Sequence, residues 1–168
     1  MTAASAVAER LMELAAVVSA SDDGTYVMAR ADGVSGSMGA HVRHTIDHVS
    51  ALVDAPTGGA VDYDSRRRGT NVETSRASGL AELHRLADRL QWLAEAALAA
   101  PVELSAVVDR SGQRVAARST LGRELVFVMS HTIHHQAIIA LLLASTGHST
   151  PERFGLAPST PSPVPCAR

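Results

Sequence analysis

The sequence predicts an all-α fold: a four-helix bundle with a small β-hairpin inserted before the last helix. Two observations carry that expectation. Three windows place apolar residues three and four apart, the repeat of a helix that buries one face, and a fourth, the apolar run from Leu125 to Leu143, reads as a buried helix. Between the third and fourth windows the apolar period drops to two, the repeat of a strand. The 168 residues divide most simply into a helical domain over 1–150 and a proline-rich tail over 151–168 that packs on the bundle or extends from it.

The first helix is expected over about Ala3 to Val18, with Val7, Leu11, Leu14 and Val18 on one stripe. Ser21-Asp22-Asp23-Gly24 and the stretch from Gly33 to Gly36 mark the loop that follows. Ser35 or Ser37 caps a second helix running to about Val53, whose apolar face is Val42, Ile46, Val49 and Val53. Ala55 to Gly69 reads as a second loop, ending in Asp62-Tyr63-Asp64-Ser65-Arg66-Arg67-Arg68. The third helix is expected from about Asn71 to Ala99, burying Leu80, Leu83, Leu86, Leu90 and Leu93 before Pro101 closes it. Val102 to Val108 and Gln113 to Arg118 then form the hairpin around Asp109-Arg110-Ser111-Gly112. Ser119 or Thr120 starts the fourth helix, and Gly147 ends it.

Composition narrows the function. A formal net charge of −2 gives no reason to expect nucleic acid or an anionic membrane as partner, and 3% aromatic residues argue against base stacking. Cys166 is the single cysteine, which excludes an intramolecular disulfide framework and leaves only a thiol near the chain end. The N-terminus lacks the charged-then-apolar pattern of a signal peptide, and the apolar stretches, interrupted by His, Gln or Glu, read as too short for a membrane span. A cytoplasmic location is the expectation. No phosphate-binding glycine loop, paired catalytic carboxylates or Ser-His-Asp order is present.

The chemistry lies in the histidines. Six of the eight fall in two helical windows: His41, His44 and His48 in the second helix, and His131, His134 and His135 in the fourth. Histidine is the commonest metal ligand, and buried imidazoles need partners. His131 and His135 are four apart and project to one helix face, so both can bind one ion, with a third imidazole supplied by His44, His48 or His41. Three neutral imidazoles leave a coordination position open, as in catalytic rather than structural sites. Glu124 precedes His131 by seven residues and returns to the same face two turns earlier. It is the candidate catalytic residue, able to orient a ligand ring or a water; the plainer reading is a favourable acid near a helix N-terminus. Asp47 is a hydrogen-bond acceptor for a ligand or a partner for Arg43. Arg66, Arg67 and Arg68 could bind an anion, although such runs are usually solvated.

The segments Ser37-Met38-Gly39-Ala40-His41-Val42-Arg43-His44-Thr45-Ile46-Asp47-His48, Gly122-Arg123-Glu124 and Ser130-His131-Thr132-Ile133-His134-His135, in that order, resemble the DinB superfamily. The resemblance implies a four-helix bundle carrying a three-histidine divalent metal site, with His44, which opens His-x-x-Asp, and the pair His131 and His135 as ligands. His48 is the alternative ligand on the second helix, and His41 and His134 become substrate-facing or supporting groups. It also implies transfer or isomerisation assisted by a low-molecular-weight thiol. Arginine without lysine and abundant alanine suggest a GC-rich bacterial coding sequence, which favours mycothiol as that thiol. The expected enzyme is a thiol S-transferase using zinc, nickel or iron, acting on a small-molecule electrophile, and homodimeric. A thiol-independent hydrolase or isomerase and a non-catalytic metal-binding stress protein are the competing expectations. Phe154-Gly155-Leu156-Ala157-Pro158-Ser159-Thr160 recurs in the most similar subgroup and is expected to fold back over the bundle's open end.

Overall fold

Thr2 and Ser5 cap each other's backbone N–H groups and open α1 (Ala3–Ala20). This and the rest of the chain are seen in a computed structural model that describes residues 1–28, 36–54, 60–65 and 70–161. The Asp22 carboxylate accepts from the Thr25 N–H and starts a short α2 (Asp23–Val27). Ser37, one of the two foreseen caps, accepts from the Ala40 N–H at the head of α3 (Met38–Val53); Ser35 lies outside the described residues, as do Arg66, Arg67, Arg68 and Cys166. After β1 (Ala60–Asp62) come α4 (Arg76–Gln91), β2 (Pro101–Val107), β3 (Arg114–Thr120) and α5 (Leu121–Ser145).

The described chain is mostly helical, with five helices and a small three-stranded sheet. α1 packs on α4 and α5, and α3 packs on the same two helices. The foreseen stripes fill the space between them: Val7, Leu11, Leu14 and Val18 from α1, Val42, Ile46 and Val49 from α3, and Leu83, Leu86 and Leu90 from α4; α5 adds Leu125, Val128, Ile139 and Leu143. Each such side chain contributes about 1.5–3 kcal/mol through burial.

Three elements differ from the sequence expectation. The third helix is shorter. A 3-10 turn at Asn71–Glu73 precedes it, the Ser75 side chain caps the Ser78 N–H and resets the start to Arg76, and the helix ends at Gln91, beside the exposed Trp92. A second 3-10 turn, Glu95–Ala99, has no fully buried residue and packs on α5 through the partly buried Leu98. The loop from Ala55 to Gly69 contains β1, which runs parallel to β2 with Val61 opposite Leu104 and fully buried. The first loop contains α2, anchored by the buried Tyr26, whose hydroxyl donates to the Val72 carbonyl at 2.7 Å.

The hairpin forms where foreseen, with Leu104 opposite Ala117 and Gly112 at φ +85° in its turn. α5 is long and apolar enough, by length and composition, to cross a membrane, which corrects the shorter reading of the apolar stretches. It packs instead on α1 and α3 and buries polar groups that need protein partners: Glu124, His135 and Gln136, the last donating to the Arg10 carbonyl at 2.8 Å. The described part of the tail returns to the helices: Phe154 joins the core, and Gly155, at φ +77°, lies so close to the α5 backbone that a Cβ would sit 2.5 Å from the Ala137 nitrogen.

Candidate metal centre

α3 and α5 lie side by side, and their histidine faces meet. On α3, His44 and His48 stand one turn apart with ring centroids 4.3 Å from each other. His131 of α5 meets both, at 5.0 Å from His44 and stacked on His48 at 4.1 Å. One ring nitrogen from each of His44, His48 and His131 lies within 4.8 Å of the other two, so these three residues could hold a metal ion. His135 adjoins the same group at 4.6 Å from both His44 and His131. Its Nδ1 lies 3.0 Å from Nδ1 of His41, so one of that pair donates to the other. His134 is exposed and flanks the cluster, 5.2 Å from His135.

The donor chemistry suits a divalent ion. His48 Nδ1 lies 3.0 Å from the His44 carbonyl, an acceptor, so Nδ1 carries the proton and Nε2 keeps its lone pair. Burial, and then the neighbouring His131, His44, His41 and His134, depress the pKa of His135 to about 3. It therefore stays neutral, the form a ligand requires. The same depression has a stability consequence. Between about pH 6.5, where the unfolded ring titrates, and about pH 3, the unfolded chain binds the extra proton. The metal-free protein is expected to lose stability as pH falls through that window, by up to about 1.4 kcal/mol per pH unit from this one group. Urea unfolding of the wild type and His135→Gln at a series of pH values checks this: the variant's stability should fall less steeply, and parallel curves would contradict it.

Glu124 reaches the cluster indirectly. Its carboxylate is fully buried and accepts from the Tyr63 hydroxyl at 2.9 Å, the Ser119 hydroxyl at 2.6 Å and Arg123 at 2.6 Å, none of them an imidazole. Burial alone would raise its pKa, but the bonds from Ser119, Arg123 and Tyr63 and the Arg123 charge hold it below the ordinary value, so it is ionised. Tyr63 is the residue that links it to the histidines. Its ring lies 5.3 Å from that of His48 at an interplanar angle of 10°, and 5.3 Å from Phe127, which stacks on His131 at 5.9 Å. Burial, then the hydrogen bond to Glu124 and its charge, raise the pKa of Tyr63 and keep the phenol protonated.

Sequence reasoning brought out His44, His48, His131, His135 and Glu124 but not Tyr63 or Phe127. Phe127 had a signal, being four residues before His131 on one helix face. Asp47 pairs with Arg43 as the plainer reading expected, at 3.5 Å. A cavity of about 570 Å³ lies along another face of α3, lined by Arg43, Asp47, Asp54, Glu82 and Arg85 among others and by none of the histidines. Its arginines and carboxylates are engaged with one another, as in Arg85 with Glu82 at 2.9 Å and with Asp54 at 3.4 Å, so the convergent donors of the histidine cluster carry more chemical information.

Fold and cluster together define a helical protein with an all-imidazole candidate metal centre between two helices. The model of the DinB superfamily matches residues 6–139, and the chain belongs to that superfamily. It is also 34% identical over 101 residues to a protein named FK506-binding protein 5 from Rhizopus delemar, a match that covers 60% of this chain and 26% of that protein. The chain thus corresponds to about a quarter of that relative's length. No solved structure matches it.

Proposed function

We propose that this protein is a metal-dependent transferase of the DinB type, in which α1, α3, α4 and α5 act as a four-helix bundle and the cosubstrate is a low-molecular-weight thiol such as mycothiol. The observation that carries the proposal is the convergence of His44, His48 and His131 from two helices onto one point. His44 and His131 belong both to this set and to the set that the family resemblance names with His135. We take His48 as the third ligand because its Nε2 is left with a lone pair and one of its ring nitrogens lies within 4.8 Å of a nitrogen on each of the other two. A divalent ion on three neutral imidazoles lowers the pKa of a thiol or water that it binds. His44, His48 and His131 would hold that ion, the His41–His135 pair flanks them, and Tyr63 and Phe127 shield one side from water. The thiol is drawn from the resemblance to the superfamily.

The experiment loads the protein with zinc, nickel or iron(II) and supplies mycothiol with monochlorobimane. A C–S bond forms, the thiol proton is released and chloride leaves, giving a fluorescent conjugate. The expected result is conjugate formation above the spontaneous rate that requires both protein and metal. His48→Ala should lose the ion and the activity together, whereas His135→Ala should keep the ion. Retention of metal by His48→Ala with loss in His135→Ala would reassign the third ligand. Conjugation no faster than the spontaneous rate with every metal and with bacillithiol as well would overturn the thiol reading.

A further inference from the structure

We infer that Tyr63 is a positioning residue for His48, that Glu124 is its anchor, and that the three-stranded sheet exists to deliver it. This rests on the histidine cluster being the working site, as proposed above. The backbone on both sides of Tyr63 is tied to the hairpin: Ala60 pairs with Glu103 and Asp62 with Ser105 in the parallel register, Arg114 reaches Asp62, and the Val107 N–H donates to Asp64 at 2.7 Å. Ser119, at the end of β3, donates to the same Glu124 carboxylate that receives the Tyr63 hydroxyl. β1, the hairpin and the first turn of α5 thus converge on one buried anion.

Packing alone gives no reason for that anion. Taking a carboxylate out of water costs several kcal/mol, and an apolar pair of similar volume fills such a space without the cost. What the carboxylate adds is direction. It fixes the phenol hydroxyl at a stated point, and the ring then lies flat against His48 in the offset arrangement that aromatic pairs favour. His48 is held at Nδ1 by the His44 carbonyl, and the Tyr63 plate restrains rotation of the ring about that bond. Together they fix the plane of the His48 ring and with it the direction of its Nε2 lone pair within the cluster. Supporting groups around metal-ligating histidines commonly act in this way.

The test has one readout without metal and one with it. In metal-free protein with ¹³C-labelled histidine, the His48 signal is identified by its loss in His48→Gln. Tyr63→Leu removes the stacked ring and should shift the His48 Cε1–H signal downfield. Tyr63→Phe keeps a ring but frees it from Glu124, and should shift the signal the same way by a smaller amount; Glu124→Gln should match it if that variant folds. With Co²⁺ bound, Tyr63→Leu should release the ion to a chelator about tenfold faster than wild type and alter its visible absorption bands, with Tyr63→Phe in between. A His48 signal unmoved in Tyr63→Leu would overturn the positioning role. A signal moved in Tyr63→Leu but not in Tyr63→Phe would overturn the anchor. Failure of the wild type to bind Co²⁺ would count against the metal reading and leave the metal-free result to decide this one.

Discussion

His131→Ala is expected to abolish stoichiometric metal binding while leaving the fold in place. His131 is the α5 residue common to both ligand sets, and without it the α3 pair His44 and His48 must hold an ion with help only from His135, which is paired with His41. Loss of one of three imidazoles should weaken binding by more than about 100-fold, beyond the 10–100-fold that follows loss of a supporting group. The helices do not depend on it. Their core is the set of valines and leucines that α1, α3, α4 and α5 contribute, and the His131 ring is only half-buried at its edge. Elemental analysis of dialysed protein beside far-UV circular dichroism reads both halves of the prediction. An unaltered spectrum with metal gone is the expected pair; one ion per chain still bound to the variant would contradict it.

Gly39→Ala is expected to destabilise the protein even though alanine favours helices. Gly39 is the second residue of α3, and a Cβ there would lie 2.1 Å from the Glu73 carbonyl oxygen and 2.7 Å from the Tyr26 ring. Neither obstacle can yield easily, because Tyr26 is fully buried and bonded to the Val72 carbonyl and the other contact is backbone. Overpacking of this kind costs about 1–3 kcal/mol and sometimes more, against the ~1 kcal/mol that alanine returns in a helix interior. A net loss of about 1–2 kcal/mol lowers the melting temperature of a chain of this size by roughly 2–8 °C. Metal affinity should fall as well, because a shift of α3 away from the Glu73 carbonyl moves His41, His44 and His48 relative to α5. Gly24→Ala is the milder comparison, since a Cβ there meets no backbone and only the Asp22 carboxylate that caps α2, at 3.1 Å. A melting temperature for Gly39→Ala at or above that of the wild type would contradict the close approach.

Much of this arrangement is legible in the sequence, for reasons that also explain the rest. α1, α3 and α5 span several turns and bury one stripe each, so their periodicity shows in the residues alone. α2 has five residues and completes barely more than one turn, and β1 has three, too few to show alternation. β1 is a strand because it pairs with residues 103–105, a contact some 40 positions away that no local pattern encodes. The end of α4 is likewise decided by tertiary contact: Leu93 and Leu98 both remain partly packed against the core, but Glu95–Ala99 does so as a 3-10 turn beside α5 and not as a further turn of α4.

The same division runs through the site. Spacing puts His44 with His48 and His131 with His135 on common faces, and it turns Glu124 toward the same side. It does not decide how α3 slides along α5, so it left His44, His48 and His41 as competing α3 ligands beside the pair His131 and His135. Helical periodicity could place Glu124 but not name its partner, since Tyr63 is 61 positions earlier and reaches it only through the sheet. The buried carboxylate expected to orient a ligand ring or a water holds the tyrosine that stacks on a histidine.

The most direct measurement is X-ray absorption fine structure at the zinc edge on protein dialysed after loading with one equivalent of Zn²⁺. The account predicts a retained ion with three imidazole nitrogens at about 2.0–2.1 Å and one further light-atom ligand. Loss of the zinc on dialysis, or a shell of oxygen atoms without imidazole scattering, would contradict it.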